Sequence, residues 1–189
     1  MSTSGGIMGG SGTSGTTTGD AADTMQTLYL QGLRNAHALE TQAIEIMQRQ
    51  VERLENYPEM KAGLQRHIQE SEGQQQRVDQ ILSRHGSSPS TLKDAVTGFM
   101  GNLAAIGHAF TSDEVIKNSF ANFAFEHFEQ ASYMSLIAIA EATGDQEAIP
   151  LLRQNLEQEI GFGKFCGDQI VPTTQRYMQL SASGQTAKV

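Results

Sequence analysis

Two helical seams in this chain carry an acid where a packed helix calls for a hydrocarbon. Leu33, His37, Glu40, Ile44, Met47, Val51 and Leu54 alternate by four and three residues, and so do Ile149, Leu152, Leu156, Glu159, Gly163, Cys166 and Ile170. That alternation lays side chains along one stripe of an α-helix, the inner seam of a helix in a bundle. Glu40 and Glu159 then face a core, where an unpaired carboxylate costs several kcal/mol. Any fold the chain adopts must compensate both.

The spacing of the acids shows how. Glu40 and Glu70 lie 30 residues apart around a midpoint at Glu55, and Glu129 and Glu159 lie 30 apart around Gly144. Residues equidistant from the turn of an antiparallel hairpin stand at the same height, so each hairpin sets two acids side by side at mid-length. A constant offset of 89 maps Glu40 onto Glu129, Gln69-Glu70 onto Gln158-Glu159, and Asp79-Gln80-Ile81 onto Asp168-Gln169-Ile170. We read this as an internal duplication of one αα-hairpin. Face to face, the copies bring four carboxylates to one level, where they cannot all stay ionised without cations. Two metal ions resolve the conflict, and oxygen-rich coordination favours iron or manganese.

The rest of the chain fits four helices. Residues 1–19 are almost entirely Gly, Ser and Thr and read as a disordered tail. Asp20 and Asp23 are candidate caps for a first helix ending near Glu55. Pro58 suits the first position of a second helix, which stops at Gly86. Residues 87–111 read as a crossing segment with a short, loose extra helix. Ser112, Asp113 and Glu114 open a third helix that Gly144 closes, and a fourth runs from about Gln146 to Val171, before Pro172. The expected fold is all-α: a ferritin-like four-helix bundle over residues 20–175, made of two αα-hairpins joined by one long crossover, with 176–189 as a frayed C-terminal tail.

Bulk properties narrow the function. A formal charge of −8 without a basic cluster argues against nucleic acid or an anionic membrane as partner. No apolar stretch approaches the roughly 20 residues of a membrane span. The single cysteine, Cys166, excludes an intramolecular disulfide and reads as a small buried apolar residue. With no secretion signal visible at the N-terminus, a cytoplasmic location is expected.

Further candidates flank the four acids. Glu126 shares the face of Glu129 and stands as a ligand or a neighbour to one. His67 stands as a nitrogen ligand or a hydrogen-bonded core histidine. Tyr133 and His37 are read as partners of the ligands rather than ligands. Dimetal bundles usually carry Glu-x-x-His on two helices, but here those positions hold Gly73 and Phe162. The phenylalanines at 120, 123, 125 and 128 read as core or dimer interface.

The stretches from His67 to Gln74 (HIQESEGQ), Arg77 to Gln80 (RVDQ), Glu126 to Tyr133 (EHFEQASY) and Leu156 to Glu159 (LEQE) resemble the YciE/YciF-like family of ferritin-like bacterial stress proteins. The likeness spans roughly residues 25–172, and the Glu126–Tyr133 run is its most specific part. It departs at His37, where the family usually has Tyr. The resemblance implies a dimetal centre, a homodimer and a role in stress protection. The expected function is that of a dimetal iron or manganese protein reducing peroxide or oxygen. The alternative is a non-catalytic metal-binding or scaffold protein with a degenerate site.

Overall fold

The computed structural model describes residues 18–89 and 113–187. The Gly/Ser/Thr tail up to residue 17 and most of the crossing segment expected over 87–111, from residue 90 on, lie outside the described residues. Among the described residues there are four helices: α1 (Thr18–Arg53), α2 (Pro58–Arg84), α3 (Glu114–Thr143) and α4 (Ala148–Ala182). Pro58 opens α2 as expected. Gly144 closes α3 at φ 77°, a left-handed conformation that glycine adopts without a Cβ penalty.

Cross-helix hydrogen bonds define the arrangement. Gln75 of α2 donates to Thr41 of α1, and Arg34 of α1 donates to Ser87 just past α2. Tyr133 of α3 meets Glu40 of α1 near mid-length, while Gln50 and Asn122 exchange two amide bonds nearer the end of α1. Arg77 of α2 donates to Asn155 and Gln158 of α4, and Gln74, a turn earlier on α2, donates to the later of these, Gln158. Each of these neighbours therefore runs antiparallel. The packed pairs are α1–α2, α3–α4, α1–α3 and α2–α4, so α1 and α4 stand diagonally opposite. Ser88 lies beside Arg34 at one end of the bundle, and Glu114 is ion-paired with Arg53 at the other. The link from α2 to α3 thus joins opposite ends, the connectivity expected of two hairpins with a long crossover.

Three details differ from expectation. The inner seam of α1 runs Tyr29, Leu33, Ala36, Glu40, Ala43, Met47, Gln50 and Leu54, so every second position sits one residue earlier than the pattern suggested. His37, Ile44 and Val51 are only half-buried. Each alternative stripe has two apolar members and one polar one, His37 with Ile44 and Val51 against Gln50 with Ala36 and Ala43, so hydropathy alone does not choose between them. Asp20 falls inside the first turn of α1, where its charge suits the positive end of the helix dipole, and Asp23 is also helical. The fourth helix does not end before Pro172 but continues to Ala182, so residues 176–182 are helical. Proline removes one backbone bond, but Thr173 and Leu180 are buried beyond it. Asn56 and Tyr57 of the α1–α2 turn donate to the carbonyls of Thr186 and Ala187, holding the end of the chain in place.

Candidate metal centre

The acids meet because the seams of four helices place them at one level. The buried stripe of α3 runs Val115, Ser119, Asn122, Glu126, Glu129, Tyr133, Leu136 and Ala140, so a single seam supplies two acids and a phenol. The stripe of α2 runs Met60, Leu64, His67, Ser71, Gln74, Val78 and Ile81. It passes through His67 and beside Glu70. From α4 come Asn155, Glu159 and Phe162, and from α1 comes Glu40. Glu40, His67 and Glu159 have no exposed surface; Glu129 is 1% exposed and Glu126 2%.

His67 is the cation-side partner of the cluster. Its Nδ1 lies 2.9 Å from Glu70 Oε2. Its Nε2 lies 3.3 Å from Glu126 Oε2 and 3.7 Å from Glu159 Oε2, charge contacts that do not meet hydrogen-bond geometry. Phe162 stacks on the imidazole with ring centroids 3.9 Å apart and planes at 14°. His67, Glu126 and Glu159 each offer a ligand atom within 4.8 Å of the others, the spacing of a single cation site. On the other side of the cluster, the Tyr133 hydroxyl donates to Glu40 Oε1 at 2.5 Å. Both oxygens of Glu129 and of Glu159, together with Glu40 Oε2 and Glu126 Oε2, are buried without a hydrogen-bond partner.

The electrostatics follow from this crowding. Burial and then the charge of Glu159 push Glu40 up to about 8, against the Tyr133 bond that favours its ionised form. Burial also raises Glu129 well above the carboxylate range, reinforced by Glu40, Glu159 and Glu126. Glu126 is raised by burial despite its contact with His67. Burial opposes charge on His67, but Glu126, Glu159 and Glu70 outweigh it and hold the imidazolium up to about 12. Glu159 is disfavoured by burial yet ends below its usual value, because His67 beside it favours the anion. One imidazolium faces four buried carboxyls. With a metal ion in place of the Nε2 proton, the open oxygens and that nitrogen form a donor set that fits hard or borderline cations such as iron or manganese.

The sequence-derived residues are thus only partly brought together. Glu40, Glu129, Glu159, Glu126 and His67 converge. Glu70 does not join them in the core: its side chain is 30% exposed and it touches the cluster through His67. The duplication placed it by analogy with Glu159, but α2 turns a different stripe inward, and His67 takes the inner place. Tyr133 bonds a cluster carboxylate directly. His37 turns away from it, with Nε2 3.3 Å from Asp79 at the surface. The two positions lacking histidine are filled in other ways: Phe162 covers His67, and Gly73 lies beside Arg77, whose guanidinium would be in ordinary contact with an added Cβ. Gly163 permits a close approach of α3 and α4, where a Cβ would meet Gln130 Nε2 at 2.5 Å, whereas Gly161 has nothing near it. Arg77 falls in a family-like stretch but was assigned no part at the site by the sequence. It donates to Asn155 and Gln158 across the α2–α4 contact, and its spacing of seven from Glu70 on the same helix was the available signal.

Fold and cluster together define a ferritin-like four-helix bundle with a buried carboxylate–histidine group able to hold a metal ion. The chain belongs to the family described as Domain of unknown function (DUF892), which matches residues 24–178. It is similar to Protein YciF of Escherichia coli (strain K12), with 28% identity over 147 residues, 72% of this chain and 84% of that protein. The crystal structure of a protein from Xanthomonas campestris pv. campestris is also similar, at 25% identity and a TM-score of 0.71, covering 84% of this chain and 99% of that one. The E. coli stress protein YciF shares the fold at a TM-score of 0.69 and 21% identity, covering 78% of this chain and 94% of that one. The YciE/YciF-like resemblance read from the motifs therefore holds.

Proposed function

We propose that this chain is a stress-protective metalloprotein that holds two iron or manganese ions and reduces peroxide or oxygen. The observation that carries this reading is the set of buried carboxylate oxygens with no protein partner, at Glu40, Glu126, Glu129 and Glu159. Left uncompensated, such a cluster destabilises the fold by several kcal/mol. Six of these oxygens converge at one level beside His67 Nε2, which supports a cation as the missing partner. The likeness to a protein named for stress supports the physiological role.

In this reading Glu126, Glu159 and His67 hold one ion, and Glu129 and Glu40 hold the other, with Glu159 near both. Bound iron or manganese supplies a change of oxidation state and Lewis acidity. Tyr133 fixes one oxygen of Glu40 and leaves the other turned to the ion. Glu70 anchors the outer nitrogen of His67 and so orients the inner one, as the partner of a ligating histidine does. The surrounding bundle excludes water from the carboxylates. Phe120, Phe128 and Met134 on the outer face of α3 are exposed, which supports pairing with a second copy.

A second reading, a non-catalytic metal-binding or scaffold protein, is favoured by Gly73 and Phe162 at the positions where Glu-x-x-His would place its histidines. Metal analysis of protein purified without chelator, followed by peroxide consumption with and without iron or manganese, separates the two. Two bound ions with metal-dependent turnover are expected. Bound metal without turnover leaves the second reading, and no uptake of either metal removes the first and leaves only the scaffold form of the second.

A further inference from the structure

The buried cluster has four flanks, one for each pair of adjacent helices, and three are closed. Between α1 and α3, Tyr133 is 1% exposed and bonds Glu40. Between α3 and α4, the approach at Gly163 is tight, and Gln130 donates to the Glu159 carbonyl at 3.0 Å. Between α1 and α2, Gln75 donates to Thr41 at 2.7 Å over the fully buried Ser71. The flank between α2 and α4 differs. It opens into a depression of about 350 Å³ lined by Arg66, Glu70, Glu157, Gln158, Gly161 and Phe162.

The floor of that depression touches the cluster. Phe162 lies flat on His67, and the Glu70 carboxylate reaches from the depression to His67 Nδ1. Glu70 is the one acid of the group with substantial contact with water. Two carboxylates line the depression against one guanidinium, and that guanidinium sits over the Phe165 ring, 5.5 Å from its centroid. The local field therefore favours cations.

We infer that a divalent cation reaches the buried carboxylates through this depression, with Glu70 as the first carboxylate to receive it and Phe162 as the gate it passes. The inference rests on the metal-binding reading. Phe162 lines the depression, and the buried, unpartnered oxygens of Glu159 lie one turn away on the same helix. Moving its ring off His67 uncovers a path from Glu70 inward. The stack also explains why the position holds an aromatic: a flat ring closes the flank without competing for the ion.

Uptake kinetics test this with the full chain stripped of metal, using Co(II) as the probe and its visible absorbance as the readout. Gly161 has open space where a side chain would project. Gly161→Phe should therefore fold and obstruct the depression, slowing uptake by about tenfold at unchanged final stoichiometry. Glu157→Lys, an exposed change, should slow uptake at low salt and lose that effect as salt rises. Phe162→Ala should accelerate uptake. Equal rates in wild type, Gly161→Phe and Glu157→Lys, at equal stoichiometry, overturn the route while leaving the metal reading standing. Failure of the wild-type chain to bind Co(II) overturns both.

Discussion

Asp145 and Glu129 are both largely buried acids, and the bundle treats them oppositely. Asp145, in the turn between α3 and α4, is met by Arg84 at 3.0 Å, His85 at 2.9 Å and the Tyr29 hydroxyl at 3.1 Å. It also faces the backbone N–H of Ala148 at 3.3 Å. Burial alone would raise its pKa, but these donors together lower it. Glu129, at mid-bundle, has no donor for either oxygen, and its pKa is raised. The Asp145 hub ties α1, the end of α2 and the α3–α4 turn into one polar knot. The Glu129 region leaves its acceptors open. A carboxylate surrounded by protein donors supports the fold; one left bare in a core is disposed toward a ligand the protein itself does not supply.

The sharpest test of this contrast is removal of each acid. Asp145→Ala strands Arg84, His85 and Tyr29 and should lower stability by about 3 kcal/mol, read from urea midpoints. Adding iron or manganese to the metal-free wild type should stabilise it by about 2.7 kcal/mol per site at a hundredfold excess over Kd, with chelation reversing the gain. The Asp145 region should be indifferent to that addition, so Asp145→Ala should show the same metal-dependent gain. Glu129→Gln should raise the stability of the metal-free protein by roughly 1–2 kcal/mol and diminish the metal-dependent gain. A loss of metal-free stability in that variant would mean the Glu129 carboxyl is already compensated, and the contrast would collapse.

The smallest effect is in pH. The folded pKa of Asp145 is depressed, so its contribution to stability is fully present above the unfolded value of about 3.9 and is lost as pH falls through the folded value. Acid unfolding curves of wild type and Asp145→Asn should therefore converge below about pH 4, with a separation on the order of 1 kcal/mol at neutral pH. Separation that persists in strong acid would assign the effect to packing instead of charge.

Much of the fold was legible in the residues. Pro58 and Gly144 marked a helix start and a helix end because each answers a local backbone demand that no tertiary contact overrides. Pro172 failed as a stop because Thr173 and Leu180 are buried beyond it, and burial of that last stretch outweighs one lost backbone bond. At the site, Glu40, Glu129 and Glu159 could be picked out by height alone. The facing of Glu70 could not. His67 and Glu70 stand three residues apart, so a rotation of α2 by roughly 60° exchanges one for the other at the core, and the apolar pattern of α2, interrupted by Gln, Ser and His, resolves that rotation only weakly. For His37, likewise, the competing stripe through Ala36 was equally apolar.

The two seams that each place an acid in a core were determined by the sequence itself, since heptad spacing depends only on the geometry of one helix. So was the pairing of heights, because a hairpin folds equidistant residues together wherever its turn lies. Which face each helix turns inward was decided by the tertiary structure. That choice depends on how four helices interdigitate at once, a property of volumes and contacts across the bundle rather than of any single helix. It exchanged Glu70 for His67, converted a symmetric quartet of acids into a histidine-bearing cluster, and set a depression beside it between α2 and α4.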